Sequence, residues 1–597
     1  MGCPSVLVRP APARLVVLRL VSSDDLKSGL LGTIGLSYLA VLALLSPVSI
    51  LGHVLHLPVA VLSWTCALVF LAAVVHIARR RWWREIGRLV LTGLGVELLL
   101  IGADLVIGAR VGAFMPGDAK VHIARIRMML EHGLSNIDPY VSPDYFFPIY
   151  HTNILHGLHA ACVQLTGADV LDEWFINVIW AKLVVVGGCY FMGYALFESR
   201  WVAGLTALFV LAQHAPVTYL IYPNALAAWW LLPIMIGFAA QACRTPCDWR
   251  TPLKLAAGSL VLGQVHALYA VFAGVGLAPF LGGLALVRLA RRRPDYRRLA
   301  ACVLALGVAA PFVLVGKAKM ARDSDVSDAE VATDKQFHQL ANGQSVYKPS
   351  SGMELGLLAA GILCAAAGAR RKPAAVVIVG AALAAAVLFI PAFCTAAIAA
   401  SRQPHTVARM NVLIMLASVA LMPGAVAFLL EPSFRSRWLR ALGSILIFVL
   451  GAQTARQEPY TWPTYWKSAA ADSAVRHGWL TRLRNSRAFF REHIPRGATV
   501  LTDVQTAMWL VMTHDCHVVV PQRGSYGVTD LRQREADLQA LLAPATPWEV
   551  RRGLLAKYDI SLVLVSGSTR EPLEWTRDHV QEYWKEGGYL LIRLKAD

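Results

Sequence analysis

Apolar residues along this chain come in runs of about twenty, closed by arginine clusters or polar loops, and that spacing predicts helices that cross a bilayer. The stretches from Ile34 to Ile50 and from Ala374 to Ile390 show it most plainly. The same criterion predicts about thirteen spans, at 28–51, 57–78, 88–109, 174–197, 201–220, 224–243, 253–268, 270–290, 299–317, 353–369, 374–398, 408–430 and 438–455. Residues 1–27 lack the order of a cleaved signal, so they read as a cytoplasmic segment before the first anchor. From about residue 456 the pattern changes to short apolar runs alternating with helical periods. Strands are predicted at Thr499 to Asp503, Val518 to Pro521, Ser561 to Ser566 and Tyr589 to Leu594, with helices between each pair. The fold class is therefore an α-helical polytopic membrane protein over 28–455, followed by a small C-terminal α/β domain over 456–597.

Composition and charge sharpen this picture. Hydrophobic residues make up 56% of the chain and charged ones only 16%, against about 25% charged in soluble domains. The net charge of +18 comes from arginines in short loops rather than one basic face, which argues for topology and against nucleic acid. Arg79 to Arg81 with Arg84 and Arg88, then Arg291 to Arg293 with Arg297 and Arg298, then Arg370 to Lys372, then Arg435, Arg437 and Arg440 all fall on one side. That side is cytoplasmic, so the loops at 110–173, 318–352 and 399–407 and the C-terminal domain are extracytoplasmic. Counting Thr152 to Leu165 as a span would reverse every later loop. It is therefore expected to lie flat on the outer surface, with His156 and His159 on a polar face. The cysteines are scattered, and Cys243 and Cys247 read as incidental rather than as a metal site.

The stretch Pro116-Gly117-Asp118-Ala119-Lys120-Val121-His122 heads the first external loop. Asp118 and His122 are four apart, on one face of a helix expected to run to Gly133. Asp118 is also a favoured N-cap and Gly133 a favoured residue past a helix end, so capping and catalysis both fit. His122, His132, His151, His156 and His159 share this loop but match no zinc spacing, and a polar interfacial surface accounts for them; no metal ligand is assigned. His214 and His266 lie in or near spans, where a polar side chain is either functional or bonded to a neighbouring helix.

The span layout, together with Asp118, His122, Gly133, Asp138, Pro139, Tyr140 and Tyr145, resembles the GT-C class of integral membrane glycosyltransferases, and more narrowly its uncharacterised bacterial members. The resemblance implies transfer of a sugar from a polyprenyl-phosphate donor to an extracytoplasmic glycan, lipid or protein acceptor, at the surface of the cell membrane. Asp118 is then the base, with His122 beside it. Lys120, Asp138, Asp144, Tyr145 and His151 are candidates for binding substrate from the same loop. His266, Arg402, His405 and Arg409 are candidates at the depth of a lipid phosphate. Ala119 and Lys120 stand where a second acid might, so whether a divalent cation (Mg or Mn) is held there stays open. A transporter or lipid flippase, or a non-catalytic envelope assembly factor, are the alternative functions. Asp104 and Lys182, both inside predicted spans, are expected to pair or to face a cavity.

A reporter fused after Asp597 should be active only outside the cytoplasm; cytoplasmic activity would overturn the predicted parity.

Overall fold

The computed structural model describes residues 29–79, 101–102, 119–145, 152–214, 221–243, 247–315, 337–339, 344–347, 376–380, 389–401, 407, 409–430, 437–455, 485–521, 528, 530–566 and 574–595. Asp104, Asp118, His151, Arg402 and His405 lie outside these residues, as do the predicted spans at 88–109 (all but its 101–102) and 353–369. The chain is mostly helical, and among the described residues six helices are long and apolar enough to cross a membrane.

Helices α1 (Gly29–Leu55) and α2 (Val59–Arg79) lead to α3 (Ala119–His132) and α4 (Ile154–Thr166), which precede α5 (Val170–Phe197) and α6 (Arg200–His214). Next, a π turn at Ala227–Leu231 enters α7 (Leu232–Ala242), and α8 (Arg250–Ala290), α9 (Tyr296–Leu306), α10 (Pro391–Ser401), α11 (Val412–Leu430) and α12 (Arg437–Ala455) follow. A hairpin of β1 (Phe337–Gln339) and β2 (Ser345–Tyr347) lies between α9 and α10.

Small residues set the closest helix crossing. A Cβ on Gly187 of α5 would lie 2.6 Å from the Leu31 carbonyl oxygen of α1, and one on Gly35 would lie 2.9 Å from the Gly188 nitrogen. Only glycine admits backbones this close.

Helix α8 is two spans rather than one. His266 has extended dihedrals (φ −162°, ψ 99°) in its middle. Lys254 Nζ lies 3.4 Å from Gln241 Oε1, and Arg288 donates to the Cys243 carbonyl at 2.8 Å. A straight helix would hold Lys254 and Arg288 roughly 51 Å apart, yet both reach the same end of α7. The chain therefore doubles back at His266, as the separate spans at 253–268 and 270–290 anticipate. Buried Arg288 pairs with Asp295 at the arginine-rich end of this hairpin.

The segment Thr152 to Leu165 corrects an expectation. It forms α4, but it is packed among α1, α2, α3 and α5 instead of lying on a surface. His156 and His159 are buried, at 1% and 6% exposure, so neither lines a polar face. The parity argument against a span stands on its own; the flat placement fails because both faces of the helix find protein partners.

The C-terminal domain has a five-stranded sheet, β3 (Thr499–Leu501), β4 (His517–Val518), β5 (Ile560–Ser566), β6 (Val580–Glu586) and β7 (Tyr589–Leu594), in the order β4-β3-β5-β7-β6. β3 is parallel to β4 and β5, while β7 is antiparallel to β5 and β6. Helices α13 (Val504–Thr513), α14 (Leu531–Leu542) and α15 (Trp548–Lys557) complete it. Where a helix was expected before Tyr589, a 3₁₀ turn (Glu574–His579) runs into strand β6. Gly587 and Gly588 both have positive φ, 58° and 90°, which is the two-residue turn that closes a tight hairpin.

Gly187→Val should lower the thermal unfolding midpoint in detergent, with overpacking costing about 1–3 kcal/mol. Gly274→Ala, where an added Cβ meets nothing within 4 Å, should leave the midpoint unchanged or raise it.

Candidate active site

Helix α3 carries the site. It ends as the sequence predicts, at Gly133 with φ +80°, and the next amide, Leu134, donates to the Leu57 carbonyl at 2.8 Å. Ala119 to Met129 are all buried. One side of the helix packs on the membrane bundle through Ile123, Ile126 and Met129; Val121 and Ala124 join the core of the C-terminal domain.

On the bundle side, His122 Nδ1 lies 2.9 Å from His156 Nε2 of α4. The His122 ring stacks on Trp174 (5.8 Å, 13°) and tilts against Tyr222 (4.9 Å). Next to it, His159 Nδ1 donates to the Glu173 carboxylate at 2.8 and 3.0 Å, in the first turn of α5, where the helix dipole favours negative charge. That bond orients the His159 ring. Burial, followed by the nearby His159, His266 and Arg125, pushes the His122 pKa down to about 3. Burial, with His122 and Arg125 adding, also holds His156 well below its ordinary range. The pair is neutral at pH 7. Arg125 is fully buried one turn on, its pKa lowered by burial only to about 10, and it donates to the Ile137 carbonyl at 2.8 Å.

The hairpin turn closes the site from the other side. Asn153 caps α4 by accepting from the Leu155 and His156 amides, and its Nδ2 donates to the Val265 carbonyl at 2.9 Å, just before His266. His266 meets Tyr269 edge-on at 5.0 Å. Arg409, in the 3₁₀ turn that opens α11, acts electrostatically on both. Asp118 immediately precedes the first described residue of α3.

The other candidates turn elsewhere. Lys120 Nζ stands 3.9 Å from the centre of the Trp509 ring of the C-terminal domain. Asp138 is buried and holds its own turn, accepting from the Tyr140 and Val141 amides at 2.8 Å; burial lifts its carboxyl to about 6. Asp144 is exposed and bonds Ser142, and Tyr145 donates to Asp530 at 2.8 Å. Of these, Lys120 and Tyr145 join this part of the chain to the C-terminal domain. Lys182 is 1% exposed, and its expected partner Asp104 is outside the described residues.

Asn153, Glu173, Trp174 and Tyr222 were not legible as site residues. Each stands at the edge of an apolar run, where a polar or aromatic residue reads as a cap or an interface anchor. Mg and Mn take mainly oxygen ligands in octahedral geometry, so the two hydrogen-bonded ring nitrogens of His122 and His156 do not fit either ion.

No family model matches the chain, and no curated protein matches it. Among solved structures it is similar to the oligosaccharyltransferase AglB from Archaeoglobus fulgidus, in complex with an inhibitory peptide and a dolichol-phosphate. The identity is 10% and the TM-score 0.47, over 83% of this chain and 74% of that one. It is also similar to ArnT from Cupriavidus metallidurans, bound to undecaprenyl phosphate (15% identity, TM-score 0.44, 83% and 97% covered) and in the apo state (14%, 0.46, 84% and 98%). Superposition this loose assigns no role to any residue of this chain.

A histidine held neutral in the fold but protonated when unfolded removes stability as pH falls. The His122 contribution is complete above the unfolded value of about 6.5 and is lost progressively as pH falls from there toward 3. Between pH 7 and 5 it amounts to about 2 kcal/mol. Thermal unfolding with a chelator present should show a smaller acid-side loss in His122→Gln than in the parent; equal losses would refute the buried neutral state.

Proposed function

We propose that the chain transfers a glycosyl unit from a polyprenyl-phosphate donor to an extracytoplasmic acceptor, with Asp118 as general base. The observation that carries this is the neutral, aromatic-walled histidine pair that begins one helical turn after Asp118. The sequence resemblance to GT-C glycosyltransferases supports it independently.

The reaction forms a bond from the acceptor oxygen to the anomeric carbon and breaks the bond from that carbon to the lipid phosphate oxygen. The acceptor proton passes to the Asp118 carboxylate. His122 and His156, being neutral, offer hydrogen bonds without forming an ion pair that would quench that carboxylate. Trp174 and Tyr222 supply apolar faces for a sugar ring. The departing phosphate needs positive charge, and Arg409 at the outer start of α11 supplies it, with Arg402 and His405 in the same short loop. In this reading the C-terminal domain is extracytoplasmic and the enzyme resides in the cell membrane.

Incubating purified protein with a panel of polyprenyl-phosphate sugars should release lipid phosphate. Asp118→Asn should abolish release while inserting and unfolding like the parent; a variant that still turns over removes Asp118 from the role of base. Arg409→Gln should weaken donor binding at low salt, an effect that shrinks as salt screens the charge. Unchanged affinity would make Arg409 a bystander.

A further inference from the structure

At the far end of α3, about 15 Å along the helix from His122, a second polar cavity opens between that helix and the external domain. Its volume is about 490 Å³, and Glu131, Arg487, Arg491, Arg496, Asp515 and Arg593 are among its lining residues.

Two ligand chemistries compete for it. Glu131, His132 and Asp515 place their ligand atoms within 4.8 Å of one another, a spacing that would suit a cation. A cation is already there. Arg127 Nη1 pairs with Glu131 and lies 3.2 Å from Asp515 Oδ1, and its Nε is anchored on the Val511 carbonyl at 2.7 Å. Seating a metal would drive a buried guanidinium off three partners at once. The single charge of Arg127 offsets one of these two acids and holds both carboxylates in place from beneath, while the cations facing the cavity are its arginines. Arg487 is tied to Asp169, and Arg593 to Glu582 at 3.0 Å. Arg491 and Arg496 have no ion-pair partner among the described residues, and Glu492 is the one further acid of the lining. Arg496 acts electrostatically on Glu131, and the two guanidinium forks lining one cavity without an ion pair of their own are the donors that oxyanions take.

We propose that this cavity binds an oxyanion, carboxylate or phosphate, carried on a carbohydrate chain. The oxyanion is argued from the cavity alone, and the carbohydrate rests on the glycosyl-transfer reading. The oxyanion is held about 15 Å along α3 from His122, so the cavity selects for an acidic acceptor.

Binding of trigalacturonate to the purified full-length protein, with no donor present, tests this against uncharged maltotriose. Trigalacturonate should bind about tenfold or more tightly, with the difference shrinking as salt rises. Inorganic phosphate should compete. The double substitution Arg491→Gln, Arg496→Gln should lose the preference while keeping the parent's unfolding midpoint, since both side chains are exposed. Equal binding of the two trisaccharides, no competition by phosphate, or a preference that survives the double substitution would each overturn the proposal. Binding of Mn²⁺ that depends on Asp515 and ignores both arginines would also overturn it. Because no donor is used, a failed transfer assay leaves this result standing, and failure here leaves the transfer reading intact.

Discussion

The site depends on one helix being enclosed on every side. Fourteen isolated residues are marginal as a helix in water, and α3 buries Lys120, His122, Arg125 and Arg127 among its apolar residues. Each of these polar groups costs free energy unless it is partnered. Their partners come from different parts of the chain: His156 of α4 for His122, the Ile137 carbonyl for Arg125, Trp509 for Lys120, and the Val511 carbonyl with Asp515 for Arg127. For two of the four, Lys120 and Arg127, the partners belong to the C-terminal domain. That domain is therefore part of the machinery holding His122 in register, because without it two buried cations would lose their contacts on the helix that carries the site.

Enclosure also sets the electrostatics. Desolvation strips the proton from His122 and His156 but leaves Arg125 charged, since an arginine starts about six units higher. The result is a pocket of neutral donors and acceptors under a positive field from Arg125, with Arg409 at the hairpin side. Such a field favours a bound anion. Glu173 is spent on His159 and adds no free carboxylate near the pair.

The six described helices long and apolar enough to cross a membrane coincide with predicted spans, because hydropathy over about twenty residues reports an apolar surrounding directly. The hairpin at His266 was legible as two spans, and Gly133 as a helix end, from length and turn chemistry alone. The placement of α4 was not, because an apolar helix with two histidines has the same sequence whether its polar residues meet water or one another. Strand β6 was missed for a different reason. Val580 to Glu586 is mostly exposed and carries little apolar alternation, so the Gly587-Gly588 turn was the better signal. The site residues Glu173 and Trp174 come from α5 and Tyr222 from the stretch before the π turn, and only their meeting in space with His122 and His159 marks them.

Asn153 shows how the segments are brought to that meeting. A helix broken at His266 frees the carbonyls of the preceding turn, and a buried carbonyl without a partner is costly. Asn153 satisfies the Val265 carbonyl with its amide nitrogen while its oxygen caps α4. An aspartate could cap but could not donate, and a serine could do either but is too short to span both at once. One side chain thus fixes α4, which presents His156, against the hairpin turn that presents His266. The spacing of two histidines more than a hundred positions apart is set by a residue that needs to touch neither substrate nor the reacting atoms.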